Sequence, residues 1–115
     1  MTDVRAHLSF LSVSAQKVRL VVDLVRGKDA NDALETLRFV PSHAAVPVLK
    51  LLKSAVANAE ENFGVSRDDL YIATIYANEA PTRKWRRFGA RGRFKPVLRR
   101  SSHVTIILSE RAAGK

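Results

Sequence analysis

The sequence predicts an α+β fold: three helices in the first half, strands in the second, and a long basic hairpin arm set between the strands. Three observations carry this. Apolar residues recur at helical spacing three times before Gly64, each run bounded by a capping or breaking residue. Two later segments, residues 70–79 and 97–109, are rich in Ile, Val, Thr and Tyr, which suit a pleated surface. Between them, residues 80–96 form a link too long for a plain hairpin loop and dense in Arg and Lys.

Residues 4–11 alternate weakly and suit a short strand. Ser14 is an N-cap residue for a helix over 15–26, where Val18, Val21, Val22 and Val25 fall on one face and Leu20 and Leu24 widen it. Arg26 suits the negative end of the helix dipole, and Gly27 accepts the left-handed conformation that closes it. Asp29 caps a second helix over residues 30–39, stopped by Pro41. Ser42 opens the longest helix, ending near Phe63, with Ala45, Val48, Leu49, Leu52, Ala55, Val56 and Ala59 in one stripe. Pro47, just inside the first turn, should bend that helix or delay its start. The alanines and Ser54 make a slim face that another element must approach closely. Asp68 and Asp69 lie in a turn. Alternation in residues 70–79 is irregular and leaves the buried face open, and residues 112–115 read as a frayed tail.

Charge divides the chain in two. Residues 83–100 hold Arg83, Lys84, Arg86, Arg87, Arg91, Arg93, Lys95, Arg99 and Arg100 and no carboxylate, nine of the twenty Lys and Arg. The other eleven are matched by eleven Asp and Glu, so a neutral body carries one cationic appendage. Trp85, Phe88 and Phe94 are interleaved with the charges. Cations take phosphates and flat rings take bases or sugars, so the segment points to nucleic acid. Arg outnumbers Lys seven to two there, which favours bidentate phosphate contacts and stacking. If the strands pair symmetrically about residue 89, Pro81 and Pro96 face each other at the root and Gly89 and Gly92 lie at the tip. About eight residues a side, at roughly 3.3 Å each, project on the order of 25 Å. A bare two-stranded ribbon is marginal in water and is ordered by what it touches.

At 115 residues the chain reads as a single domain, 1–115, with the arm at 80–96 inside it. There is no cysteine, hence no disulfide or thiolate chemistry, and no apolar run approaches the roughly 18 residues of a membrane span. The opening residues lack the apolar core of a secretory signal, and the whole reads as soluble and intracellular. His7, His43 and His103 are scattered without metal-ligand spacing, so no metal or cofactor is expected. The acids are dispersed, and no nucleophile, base or phosphate loop converges, which argues against an enzyme. Two other partners for a basic chain weigh less. A DNA-bending arm needs a proline beside an apolar wedge at its tip, and a membrane-active protein needs a basic amphipathic helix.

Three blocks carry a resemblance: Ser14-Ala-Gln-Lys-Val-Arg-Leu-Val-Val-Asp-Leu-Val-Arg-Gly27, Ser54-Ala-Val-Ala-Asn-Ala-Glu-Glu-Asn62, and Arg99-Arg-Ser-Ser-His-Val-Thr-Ile-Ile-Leu-Ser109, with Glu79-Ala-Pro-Thr82 and Ala90-Arg-Gly-Arg93 between the last two. The chain resembles the bacterial family of large ribosomal subunit protein twenty-two. That resemblance implies three helices packed on a small three-stranded antiparallel sheet with a long protruding hairpin. It further implies a cytoplasmic, ribosomal structural protein that binds large-subunit ribosomal RNA, supports subunit assembly, neighbours other ribosomal proteins, and lines the nascent-peptide exit tunnel with its tip. No membrane partner and no self-oligomer are expected. Lys17 and Arg19, from composition alone the wet face of a helix, are implied RNA contacts. So are Arg83, Lys84, Trp85, Arg86, Arg87, Arg91, Arg93, Phe94, Lys95, Arg99, Arg100, Ser102 and His103. The implied tunnel-lining tip is Arg87, Phe88, Gly89, Ala90 and Arg91. There the chain departs from the family's usual Met or Ile and Pro-Arg pair, carrying Trp85-Arg-Arg-Phe-Gly89 instead.

Overall fold

The computed structural model describes residues 3–81, 83–88 and 94–110, the backbone alone over 83–88 and 94–99. The order is β1 (Asp3–Leu11), α1 (Ala15–Val25), α2 (Ala30–Phe39), α3 (Ala45–Asn62), a 3-10 turn (Arg67–Asp69), β2 (Leu70–Glu79), β3 (Arg83–Phe88), β4 (Phe94–Arg99) and β5 (Ser102–Glu110). Three strands pair in the order β1-β5-β2, all antiparallel, and three helices cover one face; β3 and β4 form a separate two-stranded ribbon. This is the expected α+β arrangement.

The helices form where apolar spacing asks for them. In α1, Val18, Val21, Val22 and Val25 are buried, but Leu20 and Leu24 are 69% and 47% exposed. They do not widen the buried face: the valine stripe alone spans what the body covers. The longest helix starts at Ala45 rather than Ser42, which places Pro47 in the first turn, where its missing N–H loses no helical bond. Ser42 Oγ instead accepts from Ala44 N ahead of the helix. Along α3, Val48, Leu52, Ala55 and Ala59 are fully buried; Leu49 packs at the margin and Ser54 faces solvent. At its end Val65 N reaches back to Ala59 O across Gly64, whose φ of +66° suits a residue without Cβ.

The irregular alternation in β2 has a cause. A register shift lies between Ile72 and Thr74, so Leu70 and Ile72 point inward before it and Ile75 and Ala77 after it. Central β5 supplies Val104, Ile106 and Leu108 to the core, all fully buried. Below them the helical stripes and Val4 complete one continuous cluster.

Strand β5 begins at Ser102, not near residue 97, because residues 94–99 belong to the ribbon. The ribbon pairs Arg83 with Arg99 and Phe88 with Phe94, centred on residue 91 rather than 89. Pro96 therefore lies opposite Arg86, within the ribbon and not at its root. A two-stranded ribbon has two free edges, so a residue with no N–H is tolerated there. The root is closed by Ala80 N donating to Ser101 O at 3.0 Å, next to the Glu79–Ser102 pair. Gly89 and Gly92, expected at the tip, lie outside the described residues. The molecule measures 69 × 25 × 18 Å, with a radius of gyration of 17.5 Å. A compact chain of this length would have roughly 13 Å.

Candidate nucleic-acid interface

Antiparallel pairing assigns the ribbon residues to two faces. Residues opposite each other share a face, and successive residues alternate. One face carries Arg83, Trp85 and Arg87 with Lys95, Val97 and Arg99; the other carries Lys84, Arg86 and Phe88 with Phe94, Pro96 and Leu98. The first holds four cations and the second two. Trp85 and Phe94, similar in the sequence, therefore fall on opposite faces. Arg91, Arg93 and Ala90 lie outside the described residues. Along the backbone, β3 and β4 approach mainly each other.

The body brings a second group of expected residues to the arm's foot, with different duties. Arg100 is exposed just before β5. Ser102 is fully buried, and its hydroxyl donates to Val13 O at 2.9 Å. Its side chain fastens the β1–α1 link to the start of β5 and has no surface to offer RNA. His103 is half-buried; its Nδ1 accepts from Phe10 N at 3.1 Å, and its ring meets Phe10 edge-on at 4.7 Å and 82°. His7 lies 5.8 Å from His103, ring to ring, and bonds Thr105 Oγ1 through Nδ1 at 2.8 Å.

On α1, Lys17 is exposed and Arg19 is partly engaged: its Nε donates to Ala77 O at 3.0 Å. One face further along, Arg26 donates to Ile75 O at 3.1 Å and to Asp23. Ala77 and Ile75 both lie on β2, an edge strand of the sheet. Lys28 O takes Ile72 N at 2.9 Å on the same strand. Helix α1 and its exit thus occupy backbone groups that an unprotected edge would offer to another chain. Arg19 and Arg26 stand seven residues apart, two helical turns, a spacing visible in the sequence once an edge strand is known to lie beside it. Phe10 was not singled out by any sequence signal; its place depends on a register slip between Leu8 and Leu11.

Among the described residues no nucleophile and base converge in a pocket. A surface groove of about 430 Å³ between α2 and α3 is lined by Glu35, Arg38, Lys53 and Arg67 among apolar residues. Arg67 is held by Glu60 at 2.9 Å, and no nucleophile with a base converges there. Among the described residues no His, Asp and Glu cluster could hold a metal, and no helix is long and apolar enough to cross a membrane.

Residues 6–109 match the model of a family described as ribosomal protein L22p/L17e. Three similar proteins are each named large ribosomal subunit protein uL22. One from Clostridium novyi is 48% identical, the match covering 96% of this chain and 99% of the relative. One from Pediococcus pentosaceus is 45% identical over 99% and 97%. One from Clostridium kluyveri is 49% identical over 95% and 98%.

Proposed function

The chain belongs to the ribosomal protein L22p/L17e family, a structural family and not an enzyme, and from that premise we propose how it works in the large ribosomal subunit. It binds ribosomal RNA, assists subunit assembly, and reaches inward with its arm so that residues 87–91 line the passage of the nascent peptide. The observation that supports this best is the segregation of charge. All of the net charge falls in residues 83–100, and six of those nine cations lie on the two paired strands of the ribbon, beside a neutral body.

The physics of that arrangement is charge neutralisation and fit. A neutral, well-packed body fixes where the ribbon starts; RNA supplies the order the ribbon cannot supply for itself. Its four-cation face meets phosphates, while Phe88, Phe94, Pro96 and Leu98 give the opposite face a less charged surface for bases, sugars or protein. Lys17 and Arg100, exposed on the body, extend the contact, and neighbouring ribosomal proteins meet the remaining surface.

A cross-linker at position 87, in ribosomes carrying tethered nascent chains of increasing length, tests the tunnel role. Cross-links to peptide at defined lengths are expected. Cross-links to RNA at every length would restrict the arm to scaffolding.

A further inference from the structure

We infer that the body holds an RNA contact of its own at the foot of the arm, where Phe10 stacks on an unpaired base and His103 Nε2 donates a hydrogen bond to it. The inference rests on the RNA-binding reading above, and a backbone anomaly leads to it. Phe10 has φ of +55°, and it is the one non-glycine residue with positive φ among those described. A bulky residue seldom adopts that conformation, and such strain gathers at functional positions. Strain of this kind in a core would be offset by burial, but Phe10 is 57% exposed. The register slip between Leu8 and Leu11 turns it out of the β1–β5 ladder. Scattered exposed phenylalanines need no explanation; one held out by a strained bulge does.

What holds it is His103. Phe10 N donates to His103 Nδ1, so in the neutral imidazole the proton sits on Nε2. No described residue accepts from Nε2. The edge-to-face contact steadies the phenyl ring and still leaves over half of it uncovered. A fixed flat surface beside one oriented donor is suited to a nucleobase, which offers a π face and edge acceptors; a phosphate would call for cations instead. Leu11 pairs with Ser102, so the pair sits beside Arg99 and Arg100, where the ribbon's charge draws a polyanion past it.

The full chain and in-vitro transcribed large-subunit ribosomal RNA provide the test, with affinity measured across a salt series. Phe10→Ala should weaken binding about 5- to 150-fold, the range for losing one stacked base, with the slope of log K against log salt unchanged because stacking releases no counterions. Phe10→Trp should recover most of the loss. A benzoylphenylalanine cross-linker at position 10 should map to an unpaired nucleotide, and one at position 86 should cross-link in parallel. Affinity within twofold for Phe10→Ala, or no RNA cross-link from position 10 while position 86 still cross-links, overturns the inference and leaves the wider reading standing. Absence of binding by the unaltered chain would overturn both.

Discussion

Body and arm hold their conformations by different means. The body closes a continuous apolar core from three helices and a three-stranded sheet, and its charges balance. The arm has two strands, no third layer, nine cations in the eighteen residues around it and no carboxylate. Like charges at this density repel, and cross-strand pairs such as Arg83–Arg99 and Arg87–Lys95 place them directly opposite. The body is stable through what it buries in itself, whereas the ribbon's unbalanced charge works against its own compactness. One short chain thus separates a packed, charge-balanced unit from a thin cationic one.

The sharpest way to break the body is Leu52→Ala. Leu52 is fully buried on α3, and the change should cost about 2–5 kcal/mol, read as a lower urea midpoint. Affinity for ribosomal RNA, measured where the variant is still folded, should change little by comparison. A cost under 1 kcal/mol would mean the α3 stripe is not the core's centre.

The converse replaces Arg86, Arg87, Arg91 and Arg93 with Ser. If the chain contacts about five to eight phosphates, log K should fall against log salt with a slope of roughly −4 to −7, and each lost contact should flatten it by about 0.7–0.9. The urea midpoint should stay put. An unchanged salt slope would remove the arm from the binding surface.

A third variant probes the join. Arg19→Met keeps an apolar stem but removes the donor to Ala77 O, at a cost of about 0.5–1.5 kcal/mol. With Arg26→Met added, the β2 edge loses both guards, and self-association should rise in sedimentation velocity. A double variant that stays monomeric would show that other cover suffices.

These regions also differ in how far the sequence discloses them. Body helices follow from one-dimensional periodicity: the valines of α1 and the stripe of α3 are buried as spacing requires, and α2 and β2 have the expected limits. What periodicity misses is two-dimensional. Leu20 and Leu24 lie outside because a sheet covers only part of the helix. The irregular β2 pattern needs the bulge beside Ala73, and Phe10 needs the slip in β1, neither of which has a local signature. The ribbon's register, centred on residue 91, follows from how β2 and β5 deliver the chain at Ala80 and Ser101, not from glycine or proline positions. Charge marked residues 83–100 as the exceptional segment, and the structure sets 83–88 and 94–99 apart as a ribbon outside the three-stranded sheet. Only tertiary structure could show that Ser102 is consumed by Val13 O and that Arg19 is shared with a strand edge.

The smallest effect expected is the most informative about the comparison. Replacing residues 84–98 by an Asn-Gly turn removes the ribbon beyond its Arg83–Arg99 pair. Such turns close two-residue hairpins with the twist that antiparallel strands prefer. The continuous apolar core of the body, from Val4 to Leu108, is closed by residues outside the deleted segment. The root bond from Ala80 N to Ser101 O and the Glu79–Ser102 pair also remain. Cooperative thermal unfolding should therefore persist, with stability within about 0.5 kcal/mol of the parent, as for changes away from core, caps and networks. Removing repulsion among the ribbon's cations works in favour of the shortened chain, and low salt, where that repulsion is least screened, should reveal it as a slightly higher midpoint. Loss of a cooperative transition would place the ribbon within the folding unit and dissolve the distinction between the two regions.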